Sequence, residues 1–321
     1  MKWETKKQTN IGLDFGLFDN RLRGSVDVYD STTDNLLFDY TVPQPPYPYN
    51  RIKANVGSIS NKGLEVALAY DVIRTENSTL TLAGNVSFMK NEVLNLSGSI
   101  NGIPLNTDYI SWGAPNSFLV QGQPIGSFYI LESTGKNNQN VETVKDRDGN
   151  GLIDQGFRSP DRYNAGSALP TYTFAFNPSY KYKNFDASML WRGSGGNKIY
   201  NTLNQRLSML ENTGSSNVLQ SAVEKGIFTS PYGSDLWLED GSFIRLENVT
   251  AGYTFRFTDK YIDNIRLSLT GNNLLLITDY TGVDPELNVS ASGDPADNFG
   301  ADKGIYPRTR SIAFGLTVKF K

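Results

Sequence analysis

The residues best suited to chemistry lie in one aspartate-rich segment near the middle of the chain. Oxygen-bearing side chains occupy its positions one, three, five and nine: Asp146, Asp148, Asn150 and Asp154. Calcium-binding loops use this spacing and place a glycine at position six for a sharp turn, as this segment does. Position twelve is Phe157 rather than a bidentate glutamate, and Asp161 is a candidate late carboxylate. The sequence therefore predicts a candidate Ca²⁺ site; the alternative is an Asp/Gly-rich turn that caps its own backbone.

The amino-acid composition excludes most other kinds of catalytic and metal-binding site. The chain has 321 residues with no Cys and no His, which excludes disulfides, thiolate or imidazole metal sites and the Ser-His-Asp triad. Catalysis by a pair of carboxylates, as in glycosidases, remains, but nothing in the sequence identifies such a pair. A net charge of -3 provides no electrostatic footprint for a nucleic acid. We therefore expect neither an enzyme nor a required cofactor.

Aromatic residues form a second candidate site. The proline-rich stretch 38–49 and a later tryptophan supply candidate contacts to a substrate or partner: Tyr40, Tyr47, Tyr49 and Trp112. The alternative is an aromatic girdle at a membrane interface together with a stiff loop. Trp191 and Trp237 admit the same two interpretations.

Two further segments carry weaker predictions. Residues 203–226 are rich in helix formers and predict short amphipathic helices, which either dock a partner or pack within their own loop. Arg308 and Arg310 precede the last apolar stretch, and Asp284 and Glu286 are candidate ion-pair partners for them.

The elements that must position these residues are β-strands. Residues 312–320 (IAFGLTVKF), 265–270 and 80–88 (LTLAGNVSF) alternate apolar with small or polar residues. Successive side chains of a strand point to opposite faces, so each segment has one apolar and one polar face. A mean hydropathy of -0.39 fits this pattern, because only every second residue is apolar.

The connections between strands alternate in length. Short turns at 19–20, 75–78, 182–184 and 259–264 alternate with polar connections over 38–54, 91–125, 133–170, 195–240 and 278–308. This organisation is typical of an all-β, antiparallel transmembrane β-barrel with short periplasmic turns and long outer loops. We predict a partial barrel of about ten long strands. A soluble antiparallel sandwich also alternates and is the alternative fold.

Several motifs resemble the SusC/RagA family of TonB-dependent outer-membrane transporters. Residues 241–255 (GSFIRLENVTAGYTF) resemble a signature strand, and residues 271–286 (GNNLLLITDYTGVDPE) are similar to the most distinctive segment of that family. Residues 306–311 (YPRTRS) look like its terminal motif. Residues 3–5 (WET), 9–14 (TNIGLD) and 61–65 (NKGLE) also fit, so the resemblance covers essentially the whole chain.

The resemblance implies a location, partners and a mechanism. Family members are large barrels in the outer membrane of Gram-negative bacteria, with an N-terminal plug and a periplasmic motif that binds the TonB complex. They work with a SusD-like surface lipoprotein and import glycans or peptides, using energy transmitted by TonB. The sequence does not identify the substrate. The alternative function is that of a soluble β-sheet carbohydrate-binding or adhesin module.

The length of the chain sets the last expectation. Transporters of this type have about 22 strands around a plugged lumen, which about ten strands cannot enclose. We therefore expect residues 1–321 to be the C-terminal portion of such a barrel, with the plug, the TonB-binding segment and the signal peptide outside the chain.

Overall fold

One large antiparallel sheet dominates the computed structural model, which describes residues 2–42, 44–45, 47–100, 103–105, 107, 109–111, 113–258, 261–287 and 299–321. Among these residues, nine long strands form the sheet, and their order in it follows their order in the chain. They are β1 (Thr5–Leu17), β2 (Leu22–Thr41), β3 (Arg51–Arg74), β4 (Ser78–Asn95), β5 (Tyr172–Tyr182), β6 (Phe185–Gly195), β7 (Phe243–Arg256), β8 (Ile262–Thr278) and β9 (Ser311–Phe320). The sheet is open: β1 and β9 each pair with one strand in the described chain.

The alternating pattern gives this sheet two different faces. Register pairs Leu267 with Leu316 and Leu269 with Phe314, so apolar side chains align across the strands. These side chains are exposed, Phe314 to 87% and Leu316 to 67%, and no second sheet covers them within the described residues. A sandwich would bury this face against another sheet. The predicted all-β barrel wall is therefore confirmed, and the sandwich is not observed.

Exposed aromatic residues gather at one end of the apolar face. They flank the short connections: Phe18, Tyr182, Phe185, Tyr253, Phe255, Phe257, Tyr261 and Phe320. Tyr182 pairs with Phe185, which in turn pairs with Tyr253, so the rings continue from strand to strand. Such a row matches an interfacial aromatic girdle.

Short and long connections lie at opposite ends of the sheet, as predicted. Of the described residues, the turn end carries 18–21, 75–77, 183–184, 257–258 and 261, and the loop end carries those within 42–50, 96–171, 196–242, 279–287 and 299–310. Asp19 and Asn20 adopt the left-handed conformation, which these residue types tolerate. The expected loops 91–125 and 133–170 form one connection, because the strand between them, Ser127–Leu131, belongs to a small loop sheet. The wall therefore has nine described strands where about ten were expected.

The long loops fold into a layer with its own core. Its strands are Gly98–Ile100, Ile103–Leu105, Tyr109–Ser111, Ser117–Val120, Ser127–Leu131, Ser133–Lys136, Glu142–Val144, Arg162–Ser167, Lys198–Asn201, Leu238–Asp240 and Ala301–Asp302. Phe128, Ile130, Tyr200, Trp237 and Ala301 are buried together, which joins three loops in one cluster. We call this assembly the loop layer.

Short helices complete the loop layer. They are α1 (Thr202–Ser208) and α2 (Gln220–Lys225), with 3₁₀ turns at Leu210–Gly214 and Asp235–Trp237. The helices predicted within 203–226 are thus confirmed. Among the described residues, no helix combines the length and the apolar character that a membrane crossing requires.

Candidate functional site

Charged side chains gather where the polar face of the sheet meets the loops. The pairing of β7 changes register against β6 at Leu190/Trp191 and against β8 at Leu246/Asn248. Bulges of this kind re-aim side chains next to functional sites. Glu247 lies at the bulge, and its carboxylate accepts a hydrogen bond from the Arg192 guanidinium at 2.7 Å.

We call the resulting group the charge cluster. It consists of three arginines and three carboxylates: Arg192, Arg245, Arg308, Glu247, Asp284 and Glu286. Glu286 lies at its centre: Arg192 donates to both of its carboxylate oxygens, at 2.5 and 2.7 Å, and Arg308 Nη1 lies 3.2 Å from Oε2. The formal charges of the six residues sum to zero, so the cluster carries no excess charge of either sign.

Arg245 is the buried member of the charge cluster, with 1% of its side chain exposed. It donates from Nη2 to Asp284 Oδ1 at 2.7 Å and from Nη1 to Asn273 Oδ1 at 2.5 Å. Its Nε lies 3.1 Å from Glu286 Oε2. Because Asp284 and Glu286 belong to the last loop, these bonds fix that loop to the wall.

The sequence located part of the charge cluster. The predicted pairing of Arg308 with Asp284 and Glu286 is confirmed, whereas Arg310 makes no ion pair among the described residues. Arg192 and Arg245 were not predicted as site residues. In the sequence, each could be recognised as a cation at a polar-face position near the end of an alternating strand. Their partners could not, because Glu286 is 94 residues from Arg192 and Asp284 is 39 residues from Arg245.

A cavity of about 530 Å³ lies beside the charge cluster, between β5, β6 and the loop layer. Arg192, Glu286 and Arg308 contribute to its wall, as do Asn197 and Ser194. Its volume is in the usual range for small-ligand sites. We call it the mouth cavity.

The aspartate-rich segment forms a compact turn at the surface of the loop layer. Carboxylate oxygens of Asp146, Asp148 and Asp161 lie within 4.8 Å of one another. Asp146 accepts hydrogen bonds from the backbone N–H groups of Gly149 and Gly151, both at 2.7 Å. These bonds, that of Gly151 above all, lower the pKa of Asp146, because they stabilise the ionised form.

Asp161 is the buried member of this trio. It accepts hydrogen bonds from the backbone N–H groups of Asp154 at 3.0 Å and Arg147 at 2.8 Å, which lower its pKa from 3.8. Phe157 holds position twelve as an anchor: its ring stacks on Tyr109, with centroids 3.7 Å apart. Asp161, four residues later, is the candidate late carboxylate, and it lies with Asp146 and Asp148.

The other two predicted ligands lie outside the trio. Asn150 Oδ1 accepts from the backbone N–H of Leu152 at 2.7 Å, and Asp154 Oδ1 accepts from that of Gly156 at 2.8 Å. Both side chains therefore cap their own turn, as in the alternative interpretation. Ca²⁺ binding by Asp146, Asp148 and Asp161 stays a prediction.

The aromatic candidates are placed very differently from one another. Tyr40 is buried, and its hydroxyl donates to the carbonyl of Leu96 at 2.9 Å, so it anchors a loop rather than a ligand. Tyr47 packs half-buried against the same apolar cluster, and Tyr49 is 74% exposed. Trp112 lies outside the described residues.

The remaining tryptophans differ as well. Trp237 is fully buried in the core of the loop layer. Both predictions for it, a place in the aromatic girdle and a contact to substrate, were therefore wrong. Trp191 lies on the apolar face of β6, and its indole N–H donates to Met189 Sδ at 3.3 Å.

Comparison with known proteins identifies the family. The model of the family described as "TonB dependent receptor-like, beta-barrel" matches residues 1–274. The chain belongs to this family. It is a family of receptors rather than of enzymes.

Curated relatives are similar to this protein over the whole length of the chain. TonB-dependent receptor P3 of Formosa agariphila is 33% identical over 361 residues, which cover 100% of this chain and 34% of the relative. TonB-dependent receptor SusC of Bacteroides thetaiotaomicron is 32% identical over 340 residues, covering 100% of this chain and 32% of the relative. The chain thus spans about a third of the length of these relatives.

Solved structures show the same fold. A structure of the RagAB peptide importer in the closed-closed state matches with a TM-score of 0.81 and 22% identity, over 99% of this chain and 36% of that one. The open-open state of the same importer matches with a TM-score of 0.77. At this identity the likeness concerns the fold.

Proposed function

We propose that this chain forms part of the barrel wall of an outer-membrane, TonB-dependent nutrient importer and is not an enzyme. The observation that carries the proposal is the two-faced sheet: one face apolar and exposed, the other polar, ion-paired and covered at one end by the loop layer. A lipid-facing wall with a hydrated lumen requires this combination.

The dimensions of the sheet support a membrane location. The shortest wall strand, β9, has 10 residues, which at about 3.4 Å per residue and a tilt of about 45° span about 24 Å. The apolar band of outer-membrane barrels is about 25 Å tall. β2, β3 and β4 are longer, with 20, 24 and 18 residues, and extend beyond this height into the loop layer.

The open edges support a partial wall. β1 and β9 each present a row of backbone groups without a partner in the described chain, and lipid would leave such groups unsatisfied. We propose that further strands of a longer protein complete the barrel and that residues 1–321 are its C-terminal portion. The TonB complex would then act through the part of the protein outside this chain.

The partner and substrate classes are proposals from similarity. SusC is a TonB-dependent receptor by name, and the RagAB structures are of a peptide importer. We infer that this protein works with a SusD-like surface lipoprotein and imports glycans or oligopeptides. The loop layer lies at the end of the wall where such a lipoprotein would cover the lumen.

A growth experiment tests the proposal. A strain that lacks the complete gene, its complemented counterpart and a TonB-depleted strain are grown on single glycans or peptide digests as carbon source. We expect at least one source to support growth only when both the gene and TonB are present. Growth of all three strains on every source, or recovery of the protein in the soluble fraction, would contradict the importer.

The same strains test the partner. Affinity purification of the tagged protein from detergent-solubilised outer membranes is expected to recover a stoichiometric lipoprotein. Recovery of the barrel alone, from membranes in which it is folded and heat-modifiable, would contradict the lipoprotein partner but not the import function.

A further inference from the structure

We propose that a groove on the apolar face of the wall binds one phospholipid of the periplasmic leaflet. The groove crosses β6, β7, β8 and β9, and its volume of about 460 Å³ is in the usual range for small-ligand sites. We call it the wall groove; the side chains that line it include Phe185, Ala251, Tyr253, Leu269 and Phe314. This inference rests on the proposed membrane location of the wall and adds a specific lipid site to it.

The wall groove arises from small side chains that lie beside large ones. Ala187 of β6 pairs with Ala251 of β7, and the next pair towards the turn end is Phe185 with Tyr253. Residues two apart in a strand share a face, so both pairs project from the apolar face. Two methyl groups therefore lie beside two aromatic rings, and the difference in size leaves a depression. On the β9 side, the exposed ring of Phe314 borders the groove.

The lining of the wall groove suits a hydrocarbon chain. Ala251 pairs with Leu269 and Tyr253 with Leu267, so leucines continue the apolar lining across β8. Gly252 also lines the groove and has no side chain to form a hydrogen bond. A hydrocarbon chain buries apolar surface here without leaving any polar group of its own unpaired.

The wall groove begins at the level of the lipid headgroups. Tyr253 belongs to the row of exposed aromatic residues at the turn end and also lines the groove, whereas Ala251 and Leu269 lie farther from the turns. Tyrosine rings favour the interface between membrane and water. The short turns of outer-membrane barrels face the periplasm. The groove therefore leads from the periplasmic headgroup level into the apolar band, which is the path of an acyl chain.

A lysine beside the wall groove favours an anionic headgroup. Lys183 is exposed in the turn between β5 and β6, and its ammonium lies 5.5 Å from the centre of the Tyr182 ring. Within the described chain, no carboxylate pairs with this ammonium. The backbone N–H of Thr254 donates to the carbonyl of Asn184 at 2.9 Å, so the turn lies next to the groove. A phosphate near Lys183 and an acyl chain in the groove are the two parts of a phospholipid.

Native mass spectrometry of the complete, delipidated transporter in detergent tests the proposal. The probes are dioleoylphosphatidylglycerol and dioleoylglycerol, which share their acyl chains, whereas only the first carries a phosphate. We compare the wild type with Ala251→Phe, which fills the groove, and Lys183→Gln, which removes the cation. Val28→Phe is the matched control, because Val28 is exposed on the apolar face of β2 and does not line the groove.

We expect the wild type and Val28→Phe to retain one phosphatidylglycerol. Ala251→Phe should weaken the binding of both lipids by about tenfold, because roughly two methylene groups lose their buried position. Lys183→Gln should weaken the binding of phosphatidylglycerol alone, by about two- to fivefold, the value of an exposed ion pair. Heat-modifiable migration shows that each variant is folded, and if Ala251→Phe is misfolded, the difference between the two lipids in Lys183→Gln decides.

Three results would overturn the inference. They are a wild type that retains no phosphatidylglycerol, Ala251→Phe binding like Val28→Phe, and Lys183→Gln affecting both lipids equally or neither. Dissociation of a dimer by Ala251→Phe would assign the groove to a second copy of the chain and would also overturn it.

The failure of the import function is a different result. A folded transporter that supports TonB-dependent growth but retains no lipid rejects the lipid site alone. Recovery of the protein in the soluble fraction rejects the membrane wall, on which both proposals rest.

Discussion

Arg245→Met is expected to release the last loop from the wall. The substitution keeps most of the volume but removes the guanidinium that pairs with Asp284, whose side chain is 4% exposed. Breaking a buried pair from one side costs about 3–5 kcal/mol. Arg308 remains 3.6 Å from Asp284, so we take the lower value. About 3 kcal/mol corresponds to an opening equilibrium about 100-fold more favourable.

Hydrogen exchange of the complete transporter in nanodiscs measures this opening. We expect peptides covering residues 279–287 to exchange about 100-fold faster in Arg245→Met. Arg266→Met is the matched control: its pair with Asp186 is about a third exposed (33% and 39%), and such pairs contribute about 1 kcal/mol or less.

The double variant Arg245→Met/Asp284→Asn separates pairing from packing. Because it removes both charges, we expect it to exchange more slowly than Arg245→Met alone. Exchange in Arg245→Met equal to that of the wild type or of the Arg266→Met control would refute the anchoring role of the charge cluster.

Three further predictions concern the aspartate segment and the membrane face. Calorimetric titration with Ca²⁺ is expected to show binding that Asp148→Ala weakens; equal heats in both proteins reject the metal site. The hydrogen bonds that lower the pKa of Asp161 stabilise its ionised form, so they support the turn above pH 3.8 and this support is lost as the pH falls through the lowered pKa. Proteolysis of residues 146–161 should therefore accelerate in acid for the wild type. The acceleration should be smaller in Asp161→Asn, in which only Asp146 keeps a lowered pKa, and an equal acceleration in both proteins contradicts the role of Asp161. Leu269→Arg, on the apolar face, should cost about 2–4 kcal/mol and reduce the folded protein recovered from membranes. Ala313→Arg, on the polar face opposite Thr270, should be tolerated, and equal losses would contradict the assignment of faces.

The wall was predictable because its signal is local. Alternation in 312–320 assigns each residue to a face without knowledge of its neighbours, and the register of β8 and β9 then aligns the apolar positions. The turn at Asp19 and Asn20 was predictable for the same reason, since these residue types tolerate the left-handed conformation.

The loop layer and the charge cluster depend on contacts between distant segments. Tyr40 looked like a ligand contact because aromatic residues in a proline-rich loop often are, but its burial depends on Leu96, 56 residues away. Arg192 and Glu286 are 94 residues apart, and no spacing rule joins them. The carboxylate trio was largely predictable, since the motif located Asp146 and Asp148 and Asp161 was the candidate late carboxylate, whereas the turn that directs Asn150 and Asp154 to their own backbone was not.

The most direct test of the central claim, that the apolar face meets lipid and the polar face meets water, uses the absence of cysteine from this chain. Single cysteines at successive positions 312–318 of β9 carry a spin label in the complete transporter, reconstituted in lipid, with any cysteine elsewhere replaced. We predict that labels at Ile312, Phe314, Leu316 and Val318 contact lipid-soluble oxygen, whereas labels at Ala313, Gly315 and Thr317 contact a water-soluble nickel complex. Equal access of both reagents along the strand, or the opposite alternation, would contradict a membrane-spanning wall.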